Sequence, residues 1–408
     1  MAMRVAVLGG GLQGACAALE LAASGVDVDV YDKNERCLTQ ASAQNEGKIH
    51  LGYVYANDPS LRTARAMVRG TVAFAPLLRR WVGDAIDTVP VSAPFYYAVH
   101  AGSLLTPDEV EHHLRSSHAL ALEEGGGAAP DYFGADYRVR PERLSRAEAA
   151  GLFDPRTVAA AFRTPEVGVD PEALAAVVRA RLHDHPRLRC VHRAFVHGAA
   201  PDAGGVTVDV EVDGARFRER DDHAVNTLWD GRLAVDHTAG IAPERPWMWR
   251  VRHYLRLNAP GLAAAVPSVT IVLGAFGDVV AYGNDGLYLS WYPAGKRGAS
   301  SARSPPPWPL TLGASDADAV REGILGGLAG IVPAVADLSA DALASCEVKG
   351  GIIFAWGQTD IDDRASGLHE RHAIGPRSYG RYHTVDTGKL TMAPLFGKLV
   401  ADRIRLAA

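Results

Sequence analysis

Near the N-terminus, Gly9-Gly10-Gly11-Leu12-Gln13-Gly14 fits G-x-G-x-x-G, and Asp32 closes the strand-like stretch that follows. An apolar run at 4–8 precedes the glycines, and Leu12 to Ser24, rich in Ala and Leu, reads as a helix. The motif therefore sits at the strand-to-helix turn of a βαβ unit, whose crossover is right-handed. There Gly9 permits the tight turn, Gly11 admits a pyrophosphate to the backbone, and Gly14 lets helix and strand pack closely. The first N–H groups of the helix, starting at Leu12 and Gln13, and its positive dipole end suit phosphates. Asp32, with Lys33 beside it, can accept hydrogen bonds from both ribose hydroxyls. The chemistry so defined is dinucleotide binding, and the turn alone leaves FAD and NAD(P) both open.

Other reactive residues offer less. No G-x-S-x-G elbow and no P-loop lysine motif occurs, which removes the anchor for a hydrolase or phosphotransferase. His369-Glu370-Arg371-His372 is not H-E-x-x-H and has no evident third ligand. Cys16, Cys37, Cys190 and Cys346 show neither a C-x-x-C pair nor the spacing of a disulfide framework, so a reducing cytoplasm and no metal are expected. His112-His113 and His183-Asp184-His185 lie in polar surroundings and read as surface. Arg250, Arg252 and Arg256 adjoin a strand-rich block with Tyr282, Tyr288, Trp291 and Tyr292. For any one of them the expectation is an aromatic sheet core with an exposed basic edge.

The elements that must position these residues follow from pattern. The 408 residues are 48% hydrophobic and 22% charged, an ordinary globular composition. Lys+Arg 42 against Asp+Glu 47 leaves −5, with no basic surplus for nucleic acid or an anionic membrane. The stretch 257–277 runs without a charge, but Pro260, Pro267 and its polar residues point to a loop and a buried strand and not to a membrane span. Residues 26–32 (VDVDVYD) alternate as a second strand, and Gly25 suits a left-handed helix end. Residues 62–82 read as a helix, 88–100 as two strands about a Pro break, and 123–131 as a Gly/Ala/Pro loop. A helix at 170–182 has Asp170 as N-cap and Pro171 in its first turn. Short strands follow near 190–196, 206–212 and 223–226, and 247–292 reads as antiparallel sheet. Ser315 with Asp318 resembles a capping box for a helix at 316–330, and 392–405 forms the last helix.

Three further segments distinguish the dinucleotide. Ser42-Ala43-Gln44-Asn45-Glu46-Gly47-Lys48-Ile49-His50-Leu51-Gly52 resembles the second flavin-contact segment of the D-amino-acid oxidase (DAO) superfamily. The form N-x-G-x-I-H-x-G-x-x-Y, then S-L-R, falls on Asn45, Gly47, Ile49, His50, Gly52, Tyr55, Ser60, Leu61 and Arg62. It is closest to the L-2-hydroxyglutarate oxidase branch and similar to the glycerol-3-phosphate dehydrogenase branch. Residues 387–394, TGKLTMAP, resemble the family's C-terminal flavin loop entering the last helix, with Thr391 as its cap and Pro394 in its first turn. The DPEAL run at 170–174 and Val196, as adenine contact, match more loosely. Ala224-Val225-Asn226 continues Thr227-Leu228-Trp229-Asp230-Gly231 where the family has Ala-Ala-Gly-x-Trp.

The resemblance implies an α/β fold in which a discontinuous Rossmann-like FAD-binding domain is joined to an antiparallel β-sheet substrate domain. The implied segments are 1–85, 151–235 and 346–408 for FAD and 86–150 and 236–345 for substrate. It implies FAD contacts at Gly9, Gly11, Leu12, Gln13, Gly14, Asp32, Lys33, Ser42, Asn45, Gly47, Lys48, Ile49, Val196, Gly388, Lys389, Leu390 and Thr391. Lys389 and backbone N–H groups would face the N1–C2=O edge of the flavin, where reduction places negative charge. His50 would lie beside the flavin as a base, an oxygen-activating charge or a covalent attachment point, or serve only as a structural histidine. Cys346 lacks the context of a covalent flavin thiol and reads as a small buried residue. The expected activity is removal of a hydride from a CH–OH or CH–NH carbon of a small amine, amino acid, hydroxy acid or sugar-like alcohol, with a mild tilt toward the alcohol or 2-hydroxy acid. An NAD(P)-dependent dehydrogenase and a flavin-binding scaffold without turnover are the alternatives.

Overall fold

In the strand Arg4–Leu8, Val5 and Val7 point to one side of the sheet and Ala6 and Leu8 to the other, and all four are buried. A strand apolar on both faces needs two covering layers, and the computed structural model, which describes residues 3–127 and 129–407, supplies both. Val5 and Val7 pack in the same core as residues of the helices Leu12–Ala23 and Ala393–Leu406. Ala6 and Leu8 pack with Val206, Val208 and Val210 of a three-stranded antiparallel sheet, Ala194–Asp202, Gly205–Val212 and Ala215–Asp221.

Among the described residues the sheet containing Arg4–Leu8 has six strands, in the order Gly375–Tyr379, Tyr382–Asp386, His223–Asn226, Arg4–Leu8, Asp27–Tyr31, Leu188–Val191. Every neighbouring pair is parallel except the first, an antiparallel hairpin at the edge. Strands from the beginning, middle and end of the chain thus share one sheet, and the first and last helices lie together against it.

Among the described residues a nine-stranded, mostly antiparallel sheet forms the second layer system. Its spine is the strand Trp247–Asn258, which pairs along one side with Glu347–Trp356 and on the other with Gly286–Trp291 and Lys296–Ser300. One pair, Val269–Val272 with Tyr96–His100, is parallel. Strand alternation divides the spine. Leu255 and Leu257 pack in a core with Val320, Ile324 and Leu328 of the helix Ala314–Ala329. Arg250, Arg252 and Tyr254 line a cavity between the sheets.

Several expectations need correction. The helix Pro107–Gly125, started by a Thr106/Glu109 capping box, occupies the first part of the expected 123–131 loop; Ala128 of that loop lies outside the described residues. Only Tyr96–His100 of the 88–100 stretch is a full strand, and Ala215–Asp221 is a strand that no sequence pattern indicated. The helix at 314 starts from Gly313 with no side-chain cap, so Ser315 and Asp318 make no capping box there. Val158–Arg163 and Glu347–Trp356 lie inside the expected cofactor segments 151–235 and 346–408, yet both hydrogen-bond into the nine-stranded sheet. We propose a division by sheet membership in place of those boundaries. No helix among the described residues is long and apolar enough to cross a membrane.

Candidate active site

The turn after the first strand is built from main chain. Gly9 has φ +100°, and a Cβ on Gly14 would lie 1.9 Å from the Gly9 carbonyl oxygen. The Thr227 hydroxyl lies 2.8 Å from the carbonyl oxygens of both Leu8 and Gly9 and donates to them. The departure from Ala-Ala-Gly-x-Trp therefore places a hydroxyl clamp on the turn. Asp32 Oδ2 accepts from Gly10 N at 3.0 Å, and Oδ1 accepts from the backbone and side-chain nitrogens of Asn34, both at 2.8 Å. Ser42 Oγ accepts from Leu12 N at 2.8 Å. A cavity of about 230 Å³ opens here, lined among others by Gly9, Gly11, Asp32, Lys33, Ser42 and Val196, with Lys33 paired to Asp230 at 2.5 Å.

Gly11, Ser42, Thr227 and Ile352 also line a second cavity of about 270 Å³, so the two adjoin across shared walls of one cleft region. Leu12, Gln13, Asn45, Lys48, His50, Gly388, Lys389 and Leu390 line the second part. Thr387 Oγ1 donates to Gln13 Oε1 at 3.2 Å, which joins the closing loop to the opening helix. Four expected contacts stand behind the wall. Gly14 packs on Gly9. Gly47, at φ +65°, lies so near the Val169 carbonyl that a Cβ would be 1.8 Å from its oxygen. Ile49 is fully buried in the two-residue strand paired with Val167–Gly168. Thr391 does not cap the last helix, whose N-cap is Met392. Its Oγ1 instead accepts from His50 N at 3.0 Å and donates to Lys48 O at 3.2 Å, fixing the backbone on either side of Ile49.

Side chains give the second cavity its charge. Lys48 is 3% exposed, and its Nζ donates to Asp278 Oδ1 at 2.7 Å and to Thr270 Oγ1, 4.6 Å from the Phe95 ring centroid. Arg250 Nη1 donates to Tyr292 OH at 2.6 Å and to Asp360 Oδ1 at 3.0 Å. Arg252 Nη2 donates to Tyr288 OH at 2.8 Å. Arg371 makes one side-chain hydrogen bond, from Nε to the Leu368 carbonyl at 3.2 Å, and no carboxylate among the described residues forms an ion pair with it. Burial would raise the Glu46 carboxyl, but Lys389, Arg252 and Lys48 outweigh it and hold the group well below the usual range. His50 Nε2 lies 3.9 Å from Glu46 Oε1. Burial, with Lys389 and Lys48 adding to it, pushes the His50 imidazole well below its ordinary value, so the ring is neutral near pH 7. Lys389 is lowered by burial against the opposing pull of Glu46, 3.5 Å away, and is no free surface lysine.

These residues fit FAD. Gln13 Nε2, Gln44 Oε1 and His50 Nδ1 are buried polar atoms without partners among the described residues, and all three side chains line the cleft. Such orphans are rare in a closed interior and call for a polar ligand or water. The uncapped helix start at Gly11 supplies the phosphate end. The family model described as FAD dependent oxidoreductase, DAO, matches residues 4–403. The chain belongs to this family and is an FAD-dependent oxidoreductase. Among solved structures it is similar to glycine oxidase from Geobacillus kaustophilus, with TM-score 0.69 and 16% identity over 99% of this chain and 95% of that one. It is similar to iminodiacetate oxidase from Chelativorans sp. BNC1, with TM-score 0.67 and 18% identity over 98% and 95%. It is also similar to L-proline dehydrogenase from P. horikoshii, with TM-score 0.65 and 17% identity over 99% and 93%. No curated protein matches the sequence.

Sequence reasoning missed Glu46, Thr270, Asp278 and Arg371 as cavity residues, and it left the choice among the strand arginines open. A signal existed for two of them: Arg250 and Arg252 are two apart on a strand, so they share a face. Arg250 is buried and Arg252 half-buried, not an exposed basic edge, whereas Arg256 pairs with Asp170 at 2.6 Å beneath the site. His113, expected at the surface, is buried, with Nε2 3.0 Å from the Gly52 carbonyl. His369 is buried on the Asp363 carbonyl, and Cys346 lies outside both cavity walls.

Proposed function

We propose that this chain oxidises a small α-amino acid, or a close relative with a secondary amine, holding its carboxylate with Arg371 and the Arg250–Tyr292 pair. The observation that carries the reading is the half-buried Arg371 guanidinium, which lines the cavity without an acidic partner among the described residues. A planar fork of that kind suits a carboxylate. Gly9, Gly11, Leu12 and Gln13 would hold the diphosphate, Asp32 and Lys33 the ribose side, and Val196 the adenine. Gly388, Lys389 and Leu390 would face the pyrimidine edge, with Ser42, Asn45 and Lys48 along the middle. When bound, FAD supplies the two-electron acceptor that takes hydride at N5 and passes the electrons to oxygen or another acceptor. Neutral His50 holds or accepts the proton that leaves the substrate nitrogen, and Glu46, ionised beside it, stabilises the imidazolium so formed. Thr391 and Thr71 fix the His50 backbone from both sides.

The similar glycine oxidase, L-proline dehydrogenase and iminodiacetate oxidase support the amine reading. The N-x-G-x-I-H-x-G motif favours a second reading, a 2-hydroxy acid, in which the same carboxylate clamp serves and His50 takes a hydroxyl proton. Four free cysteines suit a reducing compartment, and we place the protein in the cytoplasm. Anaerobic mixing of the yellow protein with amino acids, secondary amines, 2-hydroxy acids and sugar alcohols tests the proposal. Bleaching by a carboxylate-bearing amine, and not by its decarboxylated counterpart, is expected. Equal bleaching by both, or by sugar alcohols alone, overturns it.

A further inference from the structure

Behind the dinucleotide turn, three residues with no place in the proposed reaction converge. Cys37 lies in the loop after the strand Asp27–Tyr31, Cys190 in the strand Leu188–Val191, and His192 just beyond it. Their sulfurs and a ring nitrogen all lie within 4.8 Å of one another, with Cys37 Sγ and His192 Nε2 3.9 Å apart. A sheet ladder sets this meeting: Val30 pairs with Cys190 and Tyr31 with Val191, and Asp32 N donates to the Val191 carbonyl at 3.0 Å. Both thiols are free, and the Cys37 sulfur is buried.

One edge of the cluster nearly matches a tetrahedral metal. With zinc–sulfur about 2.3 Å and zinc–nitrogen about 2.0–2.1 Å, a tetrahedral edge from S to N spans about 3.6 Å. Closing 3.9 Å to that length takes a few tenths of an ångström. Two thiolates and an imidazole are donors for zinc(II) and other soft cations, not for magnesium or calcium. The surrounding charges are mixed: Asp32 acts on both thiols, Arg179 on Cys37, and His183 on Cys190. We propose that Cys37, Cys190 and His192 form a site for one divalent cation of the zinc(II) class, with water as fourth ligand. Cys37 Sγ lies 2.5 Å from where a Cβ on Gly10 would be, and Leu38 N donates to the Gly10 carbonyl at 2.9 Å. A cation here would brace the turn through its Cys37 and Leu38 contacts with Gly10.

The test uses untagged, flavin-loaded protein, reduced, stripped with a chelator and titrated with zinc(II) against a chromophoric chelator. One equivalent binds, and Cys190→Ser and His192→Ala each weaken it at least ~10-fold. Cys346→Ser, remote from the cluster, changes nothing. Cobalt(II) produces a thiolate-to-metal charge-transfer band in the wild type that Cys190→Ser roughly halves, since Cys37 remains as a thiolate donor. Zinc raises the melting temperature of the wild type and of Cys346→Ser more than that of the two ligand variants. Affinity unchanged in both ligand variants, or no cobalt band in the reduced wild type, overturns the proposal. So does a Cys37–Cys190 disulfide recovered as the sole state even after reduction.

Discussion

The two halves of the cleft are made of different materials. Around Gly9 to Gly14 the wall is main chain, held by a positive φ, a carbonyl against a missing Cβ, and the hydroxyl of Thr227. Around Arg250, Arg252, Lys48 and Arg371 the wall is long charged side chains aimed by strand parity and by a loop. A main-chain site constrains residue identity sterically, so almost any substitution fails. A side-chain site constrains charge and reach, so it tolerates replacement at the expense of affinity or selectivity.

The sharpest way to break this contrast is Gly14→Ala. The added carbon meets a backbone oxygen at 1.9 Å, so the variant loses more than about 3 kcal/mol of stability and is isolated without flavin absorbance. A denaturant melt with a visible spectrum checks both. Next in size is Arg371→Met, which keeps its flavin and its melting temperature but raises KM for a carboxylate substrate about 100-fold. Arg256→Met should do the reverse, lowering the melting temperature at unchanged KM, because its partner is Asp170 beneath the site. Steady-state kinetics on the pair of variants separates a substrate clamp from a scaffold ion pair.

The smallest effect lies in neither half. Asp221 is buried with neither carboxylate oxygen hydrogen-bonded among the described residues, and burial pushes it up to about 6 despite Arg4 at 3.8 Å. A carboxyl raised in the folded state binds a proton that the unfolded chain releases. Stability therefore falls as pH rises from about 4 to 6, and the loss persists above. Asp221→Asn should add ~1–2 kcal/mol near pH 8 and little near pH 4. Urea melts at the two pH values give the difference.

The same contrast explains what was legible in the sequence. Gly9 and Gly14 announce themselves because no other residue fits their surroundings, and the Asp170–Pro171 helix start is equally local. The meeting of residues 387–391 with Gln13 came from the family resemblance, since no local pattern links the two ends of a chain. Glu46 and Asp278 carry no signal, because a carboxylate in a loop or strand reads the same whether it faces water or Lys48. Cys37 and Cys190 are far apart in the chain, and only the pairing of the strand before Cys37 with the strand that carries Cys190 brings them together. The Pro107–Gly125 helix was missed although its Thr106–Glu109 box was present, because its charged surface hides the buried face of Val110, His113 and Leu114.

The spine strand Trp247–Asn258 also bears on how such a molecule diverges. Positions 250, 252 and 254 line the cavity, while 255 and 257 seat the helix Ala314–Ala329 on the far side. Mutation at the first set rewrites what is recognised without disturbing the hydrophobic register that keeps the strand in place. A lineage can thus explore new metabolites one side chain at a time, whereas a one-residue slip of this strand against its neighbours would exchange the two sets and destroy both.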